Sequence, residues 1–507
     1  MRRKLWCAAV FAALSFCGTG AFAQDVTLTA RDGSLSIDGT LQGFDGEFYR
    51  VDTKYGPLTL DGEGVICEGP GCPDLTATFA MIRIMGAKEP GNALLPRLFA
   101  AYAATRGLTI ETKLLAEGFE TRLTDPGSGQ ALAQISFTPS TPEQGRAALL
   151  AGAAELVVSV TADKGFGARA MGLDALIPIV AQDNIHPRIS TPDLARALSG
   201  EIRNWQELGG PDMPLVLHAL SRDTSMQEAL AARLGRDVAA VVEHDSVADL
   251  AEAVARDPWA LAITGQSAKG AARALPLTDS CGFLLLPVRA SVKAEDYPLT
   301  LPLHLLTPRR RLPLFVREML EFLDHPAAQA AVAEAGYVDR APEVVPLTAD
   351  GLRLLNAIKG AGGDVPLDEL KRLADVMAGA SRSSLTFRFE DGSSTLDARS
   401  RENLQLLGQL LAVGAFKGLD VILAGFSDGS GDAAANMALS ESRAMGIATA
   451  LAEAVPDLAE GQAFPRVEAF GEALPMACDT TAAGRRANRR VELWLRPATT
   501  DSAAPEN

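Results

Sequence analysis

The sequence predicts a multidomain protein that combines α/β and α+β architecture, and three observations support this fold class. Short β-prone runs separated by Asp-Gly pairs fill residues 24–76, which is typical of a small antiparallel sheet. Alternating strand-like and helix-like segments follow over residues 77–342 and favour a sheet with helices on both faces. Residues 384–497 then have a βαβαβ pattern. A chain of 507 residues is long enough for about two to four domains.

The first 23 residues have the pattern of a secretory signal peptide. Basic residues at positions 2–4 precede an apolar stretch, and the small-residue motif Ala21-Phe22-Ala23 ends the segment. Lipidation at Cys17 is the alternative, but bulky Phe16 stands where such a site needs a small residue. No later segment has the run of about 18 apolar residues that a membrane span needs. We therefore expect an exported, periplasmic chain without a transmembrane segment.

The net charge of the chain restricts its possible binding partners, and its cysteines indicate where disulfides can form. A formal net charge of −16 argues against nucleic acid and anionic lipid as partners of the whole surface. In an oxidising compartment, Cys67 and Cys72 predict a local disulfide across a Gly/Pro turn, and a metal site is the weaker alternative. Cys281 and Cys478 pair or stay free, and the sequence alone leaves both alternatives open.

The four Asp-Gly pairs of residues 24–76 are interpreted as hairpin turns. Calcium loops are the alternative, but the ordered oxygen ligands of such loops are missing from the spacing. The pairs are Asp32-Gly33, Asp38-Gly39, Asp45-Gly46 and Asp61-Gly62.

The strand and helix pattern of residues 77–342 begins with an apolar strand that ends at Gly86. A helix is predicted from Asn92 to a stop at Gly107, and another between Thr191 and Gly200. Two short helices over residues 343–383 are interpreted as a linker between this region and the last domain. An acidic tail, predicted to be disordered, occupies residues 498–507.

The segment from Ile202 to Gly210, "IRNWQELGG", resembles a motif of the phosphate-binding proteins of ABC transporters. The segments "EDYPLTLPLHLLTP" and "EAGYVD" resemble later motifs of the same family. This resemblance implies the two-lobed periplasmic-binding-protein fold over residues 77–342, with a ligand cleft between the lobes.

The family holds oxyanions with hydroxyls and backbone N–H groups at helix N-termini. The corresponding loops of this chain lack most of the family's glycines, and Glu155 is the nearest candidate for the usual aspartate. Ordinary N-capping is the alternative role for the hydroxyl residues. Phosphate or another small oxyanion, a changed ligand and a protein-contact role therefore remain open for the cleft. The candidate anion-binding residues are Thr141, Arg222, Thr224 and Ser225.

The C-terminal region, residues 384–497, contains the strand-and-loop segment "VILAGFSDGSG", the helix segment "NMALSESRA" and the closing segment "ANRRVELWL". With these segments it resembles the OmpA-like peptidoglycan-binding domain. This resemblance implies a pocket for diaminopimelate of the cell-wall stem peptide, with Asp428 for the ammonium and Arg443 as a clamp on the carboxylate. The alternative is that Asp428 caps a turn and Arg443 pairs with a surface glutamate. The other candidate contacts are Asn436, Ser427, Phe426 and Arg490.

No catalytic, metal-binding or cofactor-binding motif is recognised in the chain. The five histidines are scattered, without the spacing of metal ligands. The sequence therefore predicts a non-enzymatic protein that is attached to peptidoglycan and is associated with the outer membrane through the wall or other envelope proteins. The central region then binds a small anion such as phosphate, or serves as a protein-interaction platform without a small ligand.

Overall fold

A computed structural model describes residues 26–498, except for 32, 45–47, 63, 70–71, 73–78, 311, 350, 361–364, 391–392, 394 and 456–457. The predicted signal peptide and residues 499–507 of the predicted tail lie outside the described residues. Two compact units divide the chain. One holds the residues up to Ala80 and a short segment ending at Arg317, and the other holds Met81–Arg310 and the chain from Glu318 onward.

A five-stranded antiparallel sheet forms most of the first unit, in the order β4-β3-β2-β1-β5. Alternate residues of its strands face a small core, as the period of two in a half-buried strand requires. This core contains Val26, Leu28, Tyr49 and Val51. The strands are β1 (Val26–Ala30), β2 (Ser36–Phe44), β3 (Phe48–Thr53), β4 (Gly56–Asp61) and β5 (Val65–Glu68).

One predicted turn of this unit is wrong. Asp38-Gly39 lies inside β2, where Gly39 pairs with Thr53 of β3. A Cβ atom on Gly39 would come within 2.6 Å of the Asp52 carbonyl oxygen, so the glycine permits a close approach of two strands. A disulfide joins Cys67, in β5, to Cys72.

The central domain, residues 80–342, contains a large mixed sheet in the order β14-β13-β15-β11-β19-β10-β6-β9-β8-β7, with β16 paired to β11, and a small sheet of β12, β17 and β18. Its strands are β6 (Ala80–Gly86), β7 (Thr109–Leu114), β8 (Phe119–Thr124), β9 (Ala131–Pro139), β10 (Leu156–Ser159), β11 (Gly167–Val180), β12 (Ile189–Ser190), β13 (Val216–Leu220), β14 (Val242–His244), β15 (Ala260–Gly265), β16 (Arg273–Ala274), β17 (Leu277–Thr278), β18 (Leu284–Leu285) and β19 (Thr300–Thr307). Its helices are α1 (Lys88–Arg106), α2 (Pro142–Ala151), α3 (Thr191–Leu198), α4 (Ser225–Leu234), α5 (Val247–Arg256), α6 (Arg289–Lys293), α7 (Leu314–Phe322) and α8 (Pro326–Glu334).

The two lobes of the central domain share the strands β11 and β19. The first part of β11 pairs with β19, and its last part, from Leu176, pairs with β15 of the second lobe. Strand β11 is buried from Ala170 to Val180, which explains its long apolar run in the sequence. Helix α1 ends at the predicted stop, Gly107, which has a left-handed conformation.

The C-terminal domain, residues 344–497, contains a five-stranded sheet in the order β20-β21-β24-β22-β23. Helices α11 and α12 cover one face of this sheet. The strands are β20 (Val344–Pro346), β21 (Ser381–Arg388), β22 (Leu419–Phe426), β23 (Arg466–Ala469) and β24 (Arg490–Pro497). The helices are α9 (Gly351–Gly360), α10 (Leu367–Met377), α11 (Ala398–Ala412), α12 (Ala433–Ala454) and α13 (Ala482–Asn488).

The segment 343–383, predicted to be a linker, packs as part of the C-terminal domain. Strand β20 pairs with β21, and Leu373 and Met377 of α10 are buried together with Ile422 and Trp494 of the sheet. The physical reason is that this face of the sheet is apolar, and the amphipathic helix α10 removes it from water.

The central and C-terminal domains are joined covalently and by buried ion pairs. A disulfide links Cys281 to Cys478, so the structure pairs the two cysteines that the sequence left open. Asp296 of the central domain accepts from Arg382 at 2.5 Å and from Arg388 at 2.8 Å, both in β21. All three of these charged side chains are buried.

His304, in β19, gives the fold a predicted pH dependence. Burial lowers the pKa of its imidazole from 6.5 to about 4, and its Nδ1 is buried without a hydrogen-bond partner among the described residues. The unfolded chain therefore binds this proton at a higher pH than the folded chain does. We expect the free energy of unfolding to fall by about 3 kcal/mol as the pH falls from 6.5 to 4, with no such loss above that range. Urea unfolding at a series of pH values measures the free energy of unfolding of the wild type and of His304→Gln. If this free energy changes with pH equally in the two proteins, the expectation is wrong.

Candidate functional site

The loop after β22 holds the Asp428 carboxylate in one orientation. Its Oδ1 accepts the Ser430 backbone N–H at 3.0 Å, and its Oδ2 accepts from the Arg489 guanidinium at 2.8 Å. The neighbouring Gly429 N–H donates to the Asp479 carboxylate at 2.8 Å. Asp428 is only 8% exposed, so the loop holds its carboxylate in a fixed, largely buried position at one side of the predicted pocket.

Helix α12 supplies the other side of this pocket. It begins after Asp432, whose carboxylate accepts the first backbone N–H groups of the helix. Asn436, Ser440 and Arg443 follow at intervals of four and three residues and so share one helix face. The Arg443 guanidinium lies 5.4 Å from the ring centroid of Phe389. In the part of the chain that the structure describes, this guanidinium has no hydrogen bond and no ion pair.

Two buried polar atoms beside the same loop lack partners among the described residues. They are the Ser427 hydroxyl oxygen and the Asn436 side-chain nitrogen, in residues that are 4% and 5% exposed. Leaving a buried polar group unsatisfied costs about 1–3 kcal/mol, and native proteins rarely do so. Both atoms are therefore unsatisfied polar groups beside the Asp428 loop.

The electrostatics of the pocket favour a ligand that carries an anionic group. Burial lowers the pKa of the Arg443 guanidinium, the Arg489 charge lowers it further, and the Asp428 carboxylate opposes both. A partly buried cation without an ion-pair partner is unfavourable, and an incoming carboxylate would compensate it. Asp428 and Arg489 already form an ion pair with each other, so Arg443 is the cation that can bind the anionic group of a ligand.

Arg490, predicted as a ligand contact, lies in the core instead. Its guanidinium is fully buried, donates to Glu492 at 2.6 Å and to the Leu474 carbonyl at 2.8 Å, and stacks on Phe426. Arg490, Glu492 and Trp494 alternate along β24 and share one face of the sheet. The predicted role of Arg490 is therefore corrected: Arg489, just before the strand, is the arginine that contacts Asp428.

Phe426 and Ser427 also differ from the expectation that their exposed backbone helps to bind a ligand. The Phe426 side chain is buried against Phe470, and the Ser427 backbone N–H donates to the Gly471 carbonyl at 2.8 Å. Only the Ser427 hydroxyl remains available. The period-two pattern of β24 is the sequence signal that would have separated Arg489 from Arg490.

In the central domain, the loops before α1 and α2 lie side by side. The Ser140 backbone N–H donates to the Gly86 carbonyl at 2.9 Å, and the Ala87 N–H donates to the Val158 carbonyl at 2.9 Å. Helix α1 has no side-chain cap at Ala87, and the Ser140 hydroxyl is buried without a partner among the described residues. The uncapped N-terminus of α1 and the Ser140 hydroxyl therefore offer hydrogen-bond donors at this place.

The four predicted anion-binding residues have other contacts in the structure. The hydroxyls of Thr141 and Thr224 cap α2 and α4 by accepting backbone N–H groups of their first turns, and Ser225 is the first residue of α4. The Arg222 side chain is 69% exposed and lies between two carboxylates, at 3.5 and 3.6 Å. Those carboxylates belong to Asp237 and Glu243.

Arg146, which sequence analysis did not select, connects α2 to α4. Its guanidinium donates to Glu228 at 2.9 Å and lies 3.9 Å from Asp163. The second carboxylate oxygen of Glu228 is buried without a partner among the described residues. Glu155, the nearest predicted counterpart of the family's aspartate, instead binds Arg83 at 2.7 Å.

The described residues contain neither a cluster of metal ligands nor a helix that could span a membrane. Within those ranges, no group of three or more His, Cys, Asp and Glu side chains is arranged to hold a metal ion. None of the described helices has the length and apolar character that crossing a bilayer requires.

The fold combines a two-lobed domain with a domain in which Asp428 and Arg489 lie close enough to Arg443 to act on its charge. Residues 115–326 match the family model of a PBP superfamily domain, and residues 388–489 match that of the OmpA family. Both resemblances predicted from the sequence are thereby confirmed, as is the multidomain fold class.

Individual relatives cover parts of the chain. The Escherichia coli protein "Probable lipoprotein YiaD" is 33% identical over 109 residues, which is 22% of this chain and 47% of that protein. The chain thus spans about half the length of this curated relative. The phosphate transport receptor from Vibrio cholerae is 16% identical, with 51% of this chain and 99% of that chain covered and a TM-score of 0.41. The peptidoglycan-associated lipoprotein from Burkholderia pseudomallei is 22% identical, with 22% of this chain and 89% of that chain covered and a TM-score of 0.20.

Proposed function

We propose that this protein is a non-enzymatic binding protein of the bacterial envelope whose C-terminal domain attaches it to peptidoglycan. The observation that carries the proposal is the set of polar groups on the Asp428 loop and α12. Among the described residues, it combines a fixed carboxylate, an arginine without an ion pair and two buried polar atoms without hydrogen-bond partners. The match of residues 388–489 to the OmpA family supports the same function.

The ligand best suited to this pocket carries an ammonium and a carboxylate on one carbon. The free D-centre of diaminopimelate in the stem peptide has this chemistry. Asp428 accepts the ammonium, Arg443 binds the carboxylate with two parallel hydrogen bonds, and Arg489 positions Asp428. The Ser427 hydroxyl and the Asn436 amide satisfy the remaining polar atoms of the ligand.

Location follows from this binding. A protein held by peptidoglycan resides in the periplasm, and we propose that residues 1–23 direct its export. Outer-membrane association is then indirect, through the wall or through other envelope proteins. The proposal does not require a membrane-spanning helix, and none of the described helices is long and apolar enough to be one.

Cosedimentation with purified diaminopimelate-type sacculi tests this function. We expect the full chain to sediment with the sacculi and to be released by free diaminopimelate. L-Lysine is the matched competitor, since it keeps the L-centre and lacks only the carboxylate of the D-centre, and it should release the protein poorly. Failure to sediment, or equal release by the two competitors, would exclude the proposed ligand chemistry.

Small-anion binding by the central domain is a second candidate function. The uncapped N-terminus of α1 and the buried Ser140 hydroxyl are donors that suit an oxyanion such as phosphate. Arg146, close to this region in sequence and fold, supplies the positive charge, whereas Glu228 competes with the anion for it. Without an anion, the domain serves instead as a protein-interaction platform.

Calorimetric titration of the full chain with phosphate and sulfate decides between these roles. We expect Arg146→Gln to weaken anion binding about tenfold and Glu228→Gln to strengthen it, because a charge-assisted hydrogen bond contributes about 1.5–3 kcal/mol. Arg222→Gln is the matched control and also tests the residue predicted from the sequence. No heat from either anion in the wild type would favour the interaction platform.

A further inference from the structure

A second cavity lies where the central and C-terminal domains meet, away from both sites described above. Its volume is about 600 Å³, within the range of about 300–1,000 Å³ that is typical of small-molecule sites. Helix α8 and the segment 339–342 form one wall, and α11 forms the other. We call this space the junction cavity.

Three arginines and two carboxylates alternate along the junction cavity. The Asp324 carboxylate accepts from Arg169 and, at 3.1 Å, from Arg340. The Glu402 carboxylate accepts from Arg340 at 3.0 Å and from Arg399 at 3.1 Å. The chain of ion pairs therefore begins and ends with an arginine, which leaves an excess of positive charge.

The third carboxylate of the lining does not cancel this excess. Asp339 is bound by Lys293 at 2.9 Å and by Arg289 at 2.7 Å, neither of which lines the cavity. The Nε atoms of Arg340 and Arg399 are buried and have no acceptor among the described residues. These two atoms are enclosed by the ion-pair network and do not open into the cavity.

The rest of the lining is apolar enough to receive a hydrocarbon body. Such surface favours a ligand with an apolar part, because removing both surfaces from water is favourable. The apolar lining residues are Pro326, Ala330, Ala333, Pro342, Leu406 and Leu410.

We propose that the junction cavity binds a small organic carboxylate whose apolar body packs between α8 and α11. Its carboxylate pairs with the guanidinium groups of Arg169 and Arg399, the two ends of the ion-pair chain, since a guanidinium matches a carboxylate in geometry and charge. Each domain contributes one of these two arginines, so the ligand bridges the junction. Neither the peptidoglycan pocket nor the central cleft takes part in this binding.

Titration of the full chain with benzoate, hexanoate and 2-naphthoate tests the proposal, in a buffer free of phosphate and sulfate. At least one of these carboxylates should bind with a stoichiometry of one, and its neutral amide should bind about tenfold more weakly or worse. The absence of binding by all three would overturn the proposal. Equal affinity of the acid and its amide would do the same, because the cavity would then not recognise the charge.

Four variants locate the site. Arg399→Gln should weaken carboxylate binding about tenfold, and Ala333→Leu should weaken it by filling the cavity without a change of charge. Arg401→Gln, at an exposed position two residues away on α11, should bind as the wild type does. Arg146→Gln should also leave this affinity unchanged, which separates the junction cavity from the central cleft. Wild-type affinity in both Arg399→Gln and Ala333→Leu would place the ligand elsewhere and refute the proposal.

Discussion

Replacing Arg443 by alanine is expected to weaken binding to diaminopimelate-type sacculi at least about 100-fold, which corresponds to about 2.7 kcal/mol. The variant removes the guanidinium that has no ion pair in the described structure and that receives the ligand carboxylate. Folding should be little affected, since the side chain is half-buried and makes no hydrogen bond to the described residues. Cosedimentation at increasing sacculus concentration measures the change in affinity.

Glu441→Gln provides the control, because Glu441 is exposed on the same helix and also loses a charge. Its binding should equal that of the wild type. Asp428→Asn should weaken binding to a similar extent as Arg443→Ala, by removing the acceptor for the ammonium. Full wall binding by Arg443→Ala would show that the protein reaches the wall by another surface.

Replacing Asp296 by asparagine is expected to lower the free energy of unfolding by about 3–5 kcal/mol, the usual effect of removing one partner from a buried ion pair. The change leaves Arg382 and Arg388 buried without their shared carboxylate. Burial raises the pKa of Asp296, but the two arginines outweigh this effect and hold it below its ordinary value. The carboxylate therefore stabilises the fold above its unfolded pKa, and this contribution is lost as the pH falls through the folded pKa.

Guanidinium unfolding of the two proteins at neutral pH measures this loss. Asp223→Asn, at an exposed position in the central domain, is the control and should change the free energy of unfolding little. The difference between wild type and Asp296→Asn should shrink under acidic conditions, where Asp296 is protonated in both states. A loss no larger than that of the control would mean that the ion pairs at the junction contribute little.

The junction also gives the peptidoglycan pocket a physical connection to the central domain. Cys478 forms the disulfide with Cys281, and Asp479, the next residue, accepts the Gly429 N–H beside Asp428. Asn488 donates to the same Asp479 carboxylate at 2.6 Å. The loop that holds the pocket is thus anchored from both the central domain and α13.

Local sequence patterns were sufficient where the signal is carried by neighbouring residues. The stop of α1 at Gly107 and the placement of Asp428 and Arg443 on a loop and the following helix depend on a few consecutive positions. The same reasoning failed at Asp38-Gly39, where a turn-forming pair lies inside a strand. There the pairing with strand β3 decides the conformation, and the residues next to Asp38-Gly39 in the sequence do not reveal that pairing.

Side-chain partners from distant parts of the chain could not be predicted in this way. Sequence reasoning selected Arg490 and Arg222, whereas the structure places Arg489 at the pocket and Arg146 between α2 and α4. A consecutive pair of arginines differs in role because one begins a buried strand and the other precedes it. Burial of that kind is a property of the packed sheet.

The sequence by itself determined the kinds of domain, their order along the chain and the loop and helix that form the charged pocket, because periodicity and short motifs encode local structure. Only the tertiary structure decided that α10 packs on the C-terminal sheet, that Cys281 pairs with Cys478, and that a cavity lined by three arginines lies where two domains meet. Each of these features joins residues far apart in the chain, and their meeting depends on which apolar faces and charges are buried together.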